Sequence, residues 1–374
     1  MNNKAKNIIV TAVFTAFMIF FVVMCTVKFF NPSEQSESER RPLAQFPSDI
    51  TWESIINTKD ENNSTIKLFE KYTVDQFPFR EFFRSLKARF QLNVLNLKEN
   101  NGLTEVDGYI AKIEQDFTEG LVDYSIGRLA YVYEKYLKNN GGDKYISLVP
   151  DKNYFLGKDY GYPSPDYEWL VGKVQAGLPG MTYIDIFGEL SLSDYYRTDT
   201  HWSQDKIGNV VDKLASEMGI SDRLGKDYTE NKLEGFRGVY YLQSALYPTP
   251  DTLVYLTNDT LNSCTVYDYE TGKTSPIYNH ELFEGEDGYN FFLSGTKALL
   301  RIDNPNATTD EELIIFRDSF GSSLSPLLCE AYKSVYVVDI RYVMPDMLGS
   351  IIDFEGKDVL FIYSALILNQ KAFK

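Results

Sequence analysis

Two histidines in 374 residues leave no room for a histidine-rich metal centre. Three cysteines cannot staple a disulfide scaffold. Basic residues are also in the minority, 37 Lys and Arg against 53 Asp and Glu, for a net charge of −16. Such a surface repels phosphate backbones and argues against nucleic-acid binding. No internal repeat is visible, and the length exceeds one ordinary domain. At about 150 residues per domain, two to three units or one large domain with insertions are expected. What is present is a globular composition: 44% apolar and 24% charged residues exclude a mostly disordered chain. Aromatics are abundant (27 Tyr, 25 Phe, 3 Trp), which suits a large core or aromatic platforms for sugars equally well.

Residues Ile8 to Val27 run for twenty positions without a charge. At about 1.5 Å per helical residue this spans a hydrocarbon core of about 30 Å. Lys4 and Lys6 precede the run, so the N-terminus is expected in the cytoplasm and the remainder outside, at the cell membrane. A cleaved signal peptide is the competing reading. The run exceeds the usual apolar length of about 7–15 residues, and no small-x-small cleavage site follows it. Cys25 lies inside the run. Cys264 and Cys329 could pair, but the apolar Leu324–Cys329 stretch reads as the site of a buried thiol.

The expected organisation is a cytoplasmic stub and transmembrane anchor over 1–30, a polar linker over 31–50, and an extracytoplasmic domain over 51–374. Helical spacing returns at Phe82–Leu97 and Leu121–Leu137. Short, nearly continuous apolar runs follow: Tyr145–Val149, Met181–Phe187, Leu313–Phe316, Val335–Val338 and Val359–Tyr363. Runs of this kind suit strands buried on both faces. Helical segments at about Tyr167–Ala176, Ser203–Met218 and Ser322–Glu330 separate several of them. The alternation predicts an α/β fold with a parallel sheet. Between about 225 and 306 it breaks, and the Tyr/Thr/Val-rich runs Gly238–Leu242, Thr252–Leu256, Thr265–Tyr269 and Phe291–Ile302 predict a β-rich insertion.

Two stretches carry chemistry. In Asp199-Thr200-His201-Trp202, one of the two histidines follows a carboxylate by two positions. In an extended segment such residues share a side, about 6.5 Å apart at Cα, and the carboxylate can orient the imidazole as a base. The following sequence supplies a helix, with Ser203 or Thr200 as its cap. In Leu313–Ser323, a buried strand gives way to Arg317-Asp318-Ser319-Phe320-Gly321 and then to small residues opening a helix. A nucleophilic serine needs that place, at the carboxyl end of a strand and beside free helix N–H groups. Read apart, each stretch has a plainer meaning, a surface Asp–His pair and an Asp/Ser helix cap. Together they complete a Ser-His-Asp set. His280 lacks any strand-end context and reads as a loop residue.

The motif Asp199-Thr200-His201-Trp202 resembles the signature of the DHHW family and of the alginate O-acetyltransferase-like proteins of the SGNH-hydrolase superfamily. Thr200 stands where the family's name has its first His, as in the acetyltransferase branch. Glu39-Arg40-Arg41-Pro42-Leu43, Asp75-Gln76-Phe77-Pro78-Phe79-Arg80, Val149-Pro150-Asp151-Lys152 and Arg317-Asp318-Ser319-Phe320-Gly321 match in order and spacing. The resemblance implies a three-layer α/β/α SGNH-hydrolase-like domain. It makes Ser319 the nucleophile, His201 the base and Asp199 its orienter, with the Ser319 N–H as one oxyanion donor. Lys152 and Arg317 would lie near the site, or serve only as structural ion-pair partners. Asp318 would be a binding or supporting residue, and Trp202 and Arg80 would pack around the active-site arm. An acetyl or similar acyl group would pass through Ser319 to a sugar hydroxyl or to water, on a cell-surface polysaccharide. That route needs no metal or organic cofactor. A multispanning membrane O-acyltransferase would supply the acyl group, since a single spanning helix cannot carry it across. The other class of function is a non-catalytic glycan-binding or polysaccharide-assembly protein using the same cleft. Replacing Ser319 separates the two.

Overall fold

The computed structural model describes residues 3–36, 38–39, 41–48, 65–285 and 287–374. They form two compact units, Met1–Leu97 with Leu242–Tyr247, and Lys98–Tyr241 with Pro248–Lys374.

The first unit begins with helix α1 (Asn3–Phe30), in which no residue is buried. Among the described residues it is the one helix long and apolar enough to cross a membrane. The described residues of the stretch expected as a polar linker include a short strand pair. Gln35–Ser36 pairs antiparallel with Arg41–Pro42, and Arg41 holds Asp75 through two guanidinium–carboxylate bonds of 2.9 and 2.6 Å. Two helices follow, α2 (Thr65–Asp75) and α3 (Arg80–Arg89), the latter continued by a π-helical turn, Phe90–Val94. Residues 65–97 therefore belong to the unit that contains α1 and not to the unit that contains the sheet. The expected boundary at 50/51 and Arg40 lie outside the described residues.

The second unit is built on one eight-stranded sheet. Its strands are β1 (Lys144–Val149), β2 (Thr182–Tyr183), β3 (Thr265–Asp268), β4 (Lys273–Pro276), β5 (Leu299–Asp303), β6 (Glu312–Arg317), β7 (Ser334–Val338) and β8 (Asp358–Ser364). The spatial order is β4-β3-β5-β7-β6-β8-β1-β2. The five strands from β7 to β2 are mutually parallel. Ile315 at the centre lies opposite Val337 on one side and Leu360 on the other.

Both faces are covered, which explains the unbroken apolar runs. Leu313 and Ile315 enter one core, Ile314 and Phe316 the other. The first core is closed by α5 (Lys152–Tyr160), α7 (Gly208–Met218) and α8 (Gly321–Leu328). The second is closed by α4 (Glu119–Val132) and α6 (Tyr167–Gly177). This is the three-layer α/β/α arrangement.

Three expectations need correction. Met181–Phe187 yields only the two-residue edge strand β2. Gly238–Leu242 is not a strand, because Val239–Gln243 forms a short helix. The β-rich stretch is only partly an insertion: Thr229–Phe236 and Asp251–Thr257 make a separate antiparallel pair, but β3, β4 and β5 extend the central sheet antiparallel. Cys264 and Cys329 are buried free thiols with sulfurs 3.8 Å apart.

Candidate active site

The serine half is a strand end. β6 stops at Arg317 and α8 starts at Gly321, so Asp318-Ser319-Phe320 form the turn between them. Asp318 clamps that turn: Oδ1 accepts the Phe320 N–H at 3.0 Å, and Oδ2 accepts the Ser364 N–H of β8 at 2.9 Å. Gly321 allows the helix to start close to the strand, since a Cβ there would stand 2.5 Å from that of Arg317. Ser319 is half-buried between buried neighbours, at the carboxyl end of a central parallel strand where open sheets bind ligands.

The histidine half is a bend, not the extended arm expected from the spacing. Tyr195 and Trp202 pair antiparallel, and the Tyr196 N–H donates to the His201 carbonyl at 3.0 Å. Between them Asp199 closes an Asx-type turn. Its Oδ1 accepts the His201 N–H at 2.9 Å and lies 2.5 Å from His201 Nδ1. The following α7 starts at Gly208, after a 3-10 turn at Gln204–Lys206, later than the sequence suggests.

The halves meet at one contact: His201 Nε2 lies 2.7 Å from Ser319 Oγ. The result is a continuous Asp199–His201–Ser319 hydrogen-bonded chain. With Nδ1–H held by the carboxylate, Nε2 is left free to accept the hydroxyl proton.

Burial would raise the Asp199 pKa. The charge of His201 and hydrogen bonds from His201 and the Val239 N–H (2.7 Å) outweigh it and hold the carboxyl at about 2. The Asp199 side is thus ionised over the working range.

Lys152 is fully buried below the bend. Its Nζ donates to the carbonyls of Ile110 (2.6 Å) and Arg197 (3.2 Å). Burial lowers it to about 7, against the pull of Asp199 and Asp251. Asp151 beside it caps α5 and accepts the Tyr167 hydroxyl at 2.6 Å, and burial raises it to about 6. Trp202 is buried and donates from Nε1 to Ser323 Oγ at 2.9 Å. Arg317 is buried behind the serine turn, 3.7 Å from Asp339, and burial lowers its pKa. Arg80 belongs to the first unit, where it pairs with Glu39 at 2.5 Å and Glu81 at 2.8 Å. His280 is exposed.

Three supports had no signal in the sequence. Tyr289 stacks flat on the His201 ring, centroids 3.8 Å apart and planes 3° from parallel, and its hydroxyl donates to Ser323 Oγ at 2.8 Å. Asp251 accepts the N–H groups of Arg197 (3.1 Å) and Thr198 (2.7 Å) and the Thr198 hydroxyl (2.7 Å). Gly238 passes so close that a Cβ would stand 2.3 Å from Asp199 Cβ. Each acts across more than 30 residues of sequence, so no local pattern reveals it. Among the described residues no group of three or more His, Cys, Asp or Glu side chains is set to hold a metal.

The DHHW protein family model matches residues 187–338, the stretch that contains both halves of the site. The matched stretch is similar to that family and spans less than half of the chain. A DHHW family protein from Eubacterium siraeum superposes with a TM-score of 0.59 at 22% identity, covering 73% of this chain and 94% of its own. Bacillus cereus PatB1 carrying a sulfonyl adduct gives 0.58 at 20% identity, covering 73% and 99%. A second structure of Bacillus cereus PatB1 gives 0.57 at 21% identity, covering 74% and 99%. At these identities the likeness is one of fold. No curated protein matches the sequence.

Proposed function

We propose that this protein is a membrane-anchored serine acyltransferase or esterase that adds or removes acetyl groups on a cell-surface polysaccharide. The observation that carries the reading is the Ser319–His201–Asp199 chain, with contacts of 2.7 and 2.5 Å. In the reaction, Ser319 Oγ attacks the acyl carbonyl while its proton passes to His201 Nε2. Asp199, ionised and hydrogen-bonded to Nδ1, stabilises the imidazolium so formed. The Ser319 N–H at the start of the turn is one donor to the oxyanion. His201 returns the proton to the leaving oxygen, leaving an acyl-serine. A sugar hydroxyl or water, deprotonated by His201, then takes the acyl group and frees Ser319.

Helix α1 anchors the chain with Lys4 and Lys6 on the cytoplasmic side. The acyl group reaches an extracytoplasmic Ser319 from a multispanning membrane partner. The net charge of −16 suits a neutral or cationic glycan better than a polyphosphate one.

The test is turnover of a chromogenic acetyl ester by the full chain in detergent, with and without glycan acceptors. Turnover lost in Ser319→Ala and His201→Ala supports the reading, and acceptor acetylation selects transfer over hydrolysis. Glycan binding that is intact in Ser319→Ala, with no turnover in the parent, supports the non-catalytic alternative.

A further inference from the structure

The first unit exposes an apolar surface that a water-soluble helix pair would bury. Along α3 and the π-helical turn, Phe82, Leu86, Phe90 and Val94 recur at four-residue spacing, each at least half exposed. Such spacing aligns them on one side of the helix. The charged side chains Arg80 and Arg84 are paired instead with Glu39 and Glu81, at 2.5 to 3.6 Å. Exposed aliphatic and aromatic area of this extent marks a binding surface.

The same unit indicates what covers it. The turn entering α3 packs its rings on helix α1 within the uncharged run. Phe79 stacks on Phe20 (centroids 5.8 Å, planes 14° apart), and Phe21 meets Phe77 at 6.0 Å and Phe83 at 6.5 Å. Phe79 holds this place with φ of +60°, a left-handed conformation uncommon for a bulky side chain. Phe20 lies seven residues before Val27, where the uncharged run ends. At 1.5 Å per residue that is about 10 Å inward from the end of the run. Interfacial helices bury their apolar faces about 5–10 Å into a bilayer. The aromatic contacts therefore set the α3 turn at the depth of an interfacial helix.

We propose that α3 and its preceding turn are an interfacial membrane element, with the Phe82–Leu86–Phe90–Val94 stripe in the acyl region of the leaflet beside the exit of α1. This rests on the reading of α1 as a spanning helix. The unit is then a membrane platform with two lipid contacts, one spanning and one lying in the interface.

The test uses the full chain with Cys25→Ser, reconstituted in vesicles of equal parts phosphatidylethanolamine and phosphatidylglycerol. Nitroxide labels are placed singly through Phe82→Cys, Leu86→Cys, Phe90→Cys and, within α1, Phe14→Cys. Relaxation by oxygen, which partitions into lipid, is compared with relaxation by a polar nickel chelate. The expected oxygen-to-nickel ratio at 82, 86 and 90 lies within about twofold of that at 14. A ratio favouring nickel at 82, 86 and 90, with position 14 still oxygen-accessible, overturns the proposal. Exclusion of both reagents there also overturns it, because protein then covers the stripe. A nickel-accessible position 14 removes the spanning reading itself, and the proposal with it.

Discussion

The two halves of the site are held in different ways. Ser319 sits on the end of a strand paired on both sides, and its turn is fixed by Asp318 and by the close approach of Gly321 to Arg317. His201 sits on an irregular bend with no ladder of its own between Tyr195 and Trp202. Its position depends on side chains brought from elsewhere: Asp251 below, Gly238 behind, Tyr289 over the ring. The sheet supplies the nucleophile's place, whereas a network of single contacts supplies the base's place. Displacing the backbone of the first should appear chiefly as lost stability, and displacing that of the second chiefly as lost chemistry.

The largest effects test whether the halves act as a unit. Ser319→Ala and His201→Ala should each lower ester turnover by at least about 10⁴-fold, and the double variant should be little worse than either. Additive losses in steady-state kinetics would contradict a shared proton path. Asp199→Asn keeps the shape of the bend but removes the charge, and should cost about 10³–10⁴-fold in kcat.

Two glycine substitutions sharpen the contrast. In Gly238→Ala the new Cβ meets Asp199, so kcat should fall by about 10²-fold through displacement of the bend. Gly321→Ala forces α8 off β6 and should cost about 1–3 kcal/mol in chemical denaturation. Equal losses of stability in both would erase the distinction between the halves.

The difference in acid unfolding between the parent and Asp199→Asn reports on Asp199. Its carboxyl is held at about 2 in the folded protein against an ordinary 3.8. The pKa is depressed on folding, so the stabilisation is complete above 3.8 and is lost as pH falls from there through about 2. It amounts to about 2 kcal/mol. Stability curves of the parent and Asp199→Asn should converge as pH drops through that window. The smallest expected change is Tyr289→Phe, which keeps the stack on His201 and loses the hydroxyl bond to Ser323, for about 1 kcal/mol in thermal unfolding.

The same contrast explains what could be read from the sequence. The strands β1, β6, β7 and β8 were legible because burial on both faces leaves unbroken apolar runs. Ser319 was legible because a serine between such a run and a small-residue helix start is an unusual context. Asp199 and His201 were legible as a pair, but their conformation was not: the Asx turn needs side-chain bonds that spacing does not specify. Arg80 belongs to the first unit, where it pairs with Glu39 and Glu81. Gly238–Leu242 was misread as a strand because its aromatic content mimics one, while Tyr240 N–H bonding to Thr198 fixes a short helix instead. Tyr289 and Asp251 gave no signal, since their partners are distant in sequence.

The most direct test of the account is covalent labelling of the full chain by a sulfonyl fluoride, with the modified residue located by peptide mass mapping. A sulfonyl fluoride reacts with a serine that a neighbouring base makes nucleophilic. The account predicts one adduct on Ser319, formed slowly in Asp199→Asn and absent in His201→Ala. An adduct elsewhere, or one that forms on Ser319 at the parent rate without His201, would contradict it.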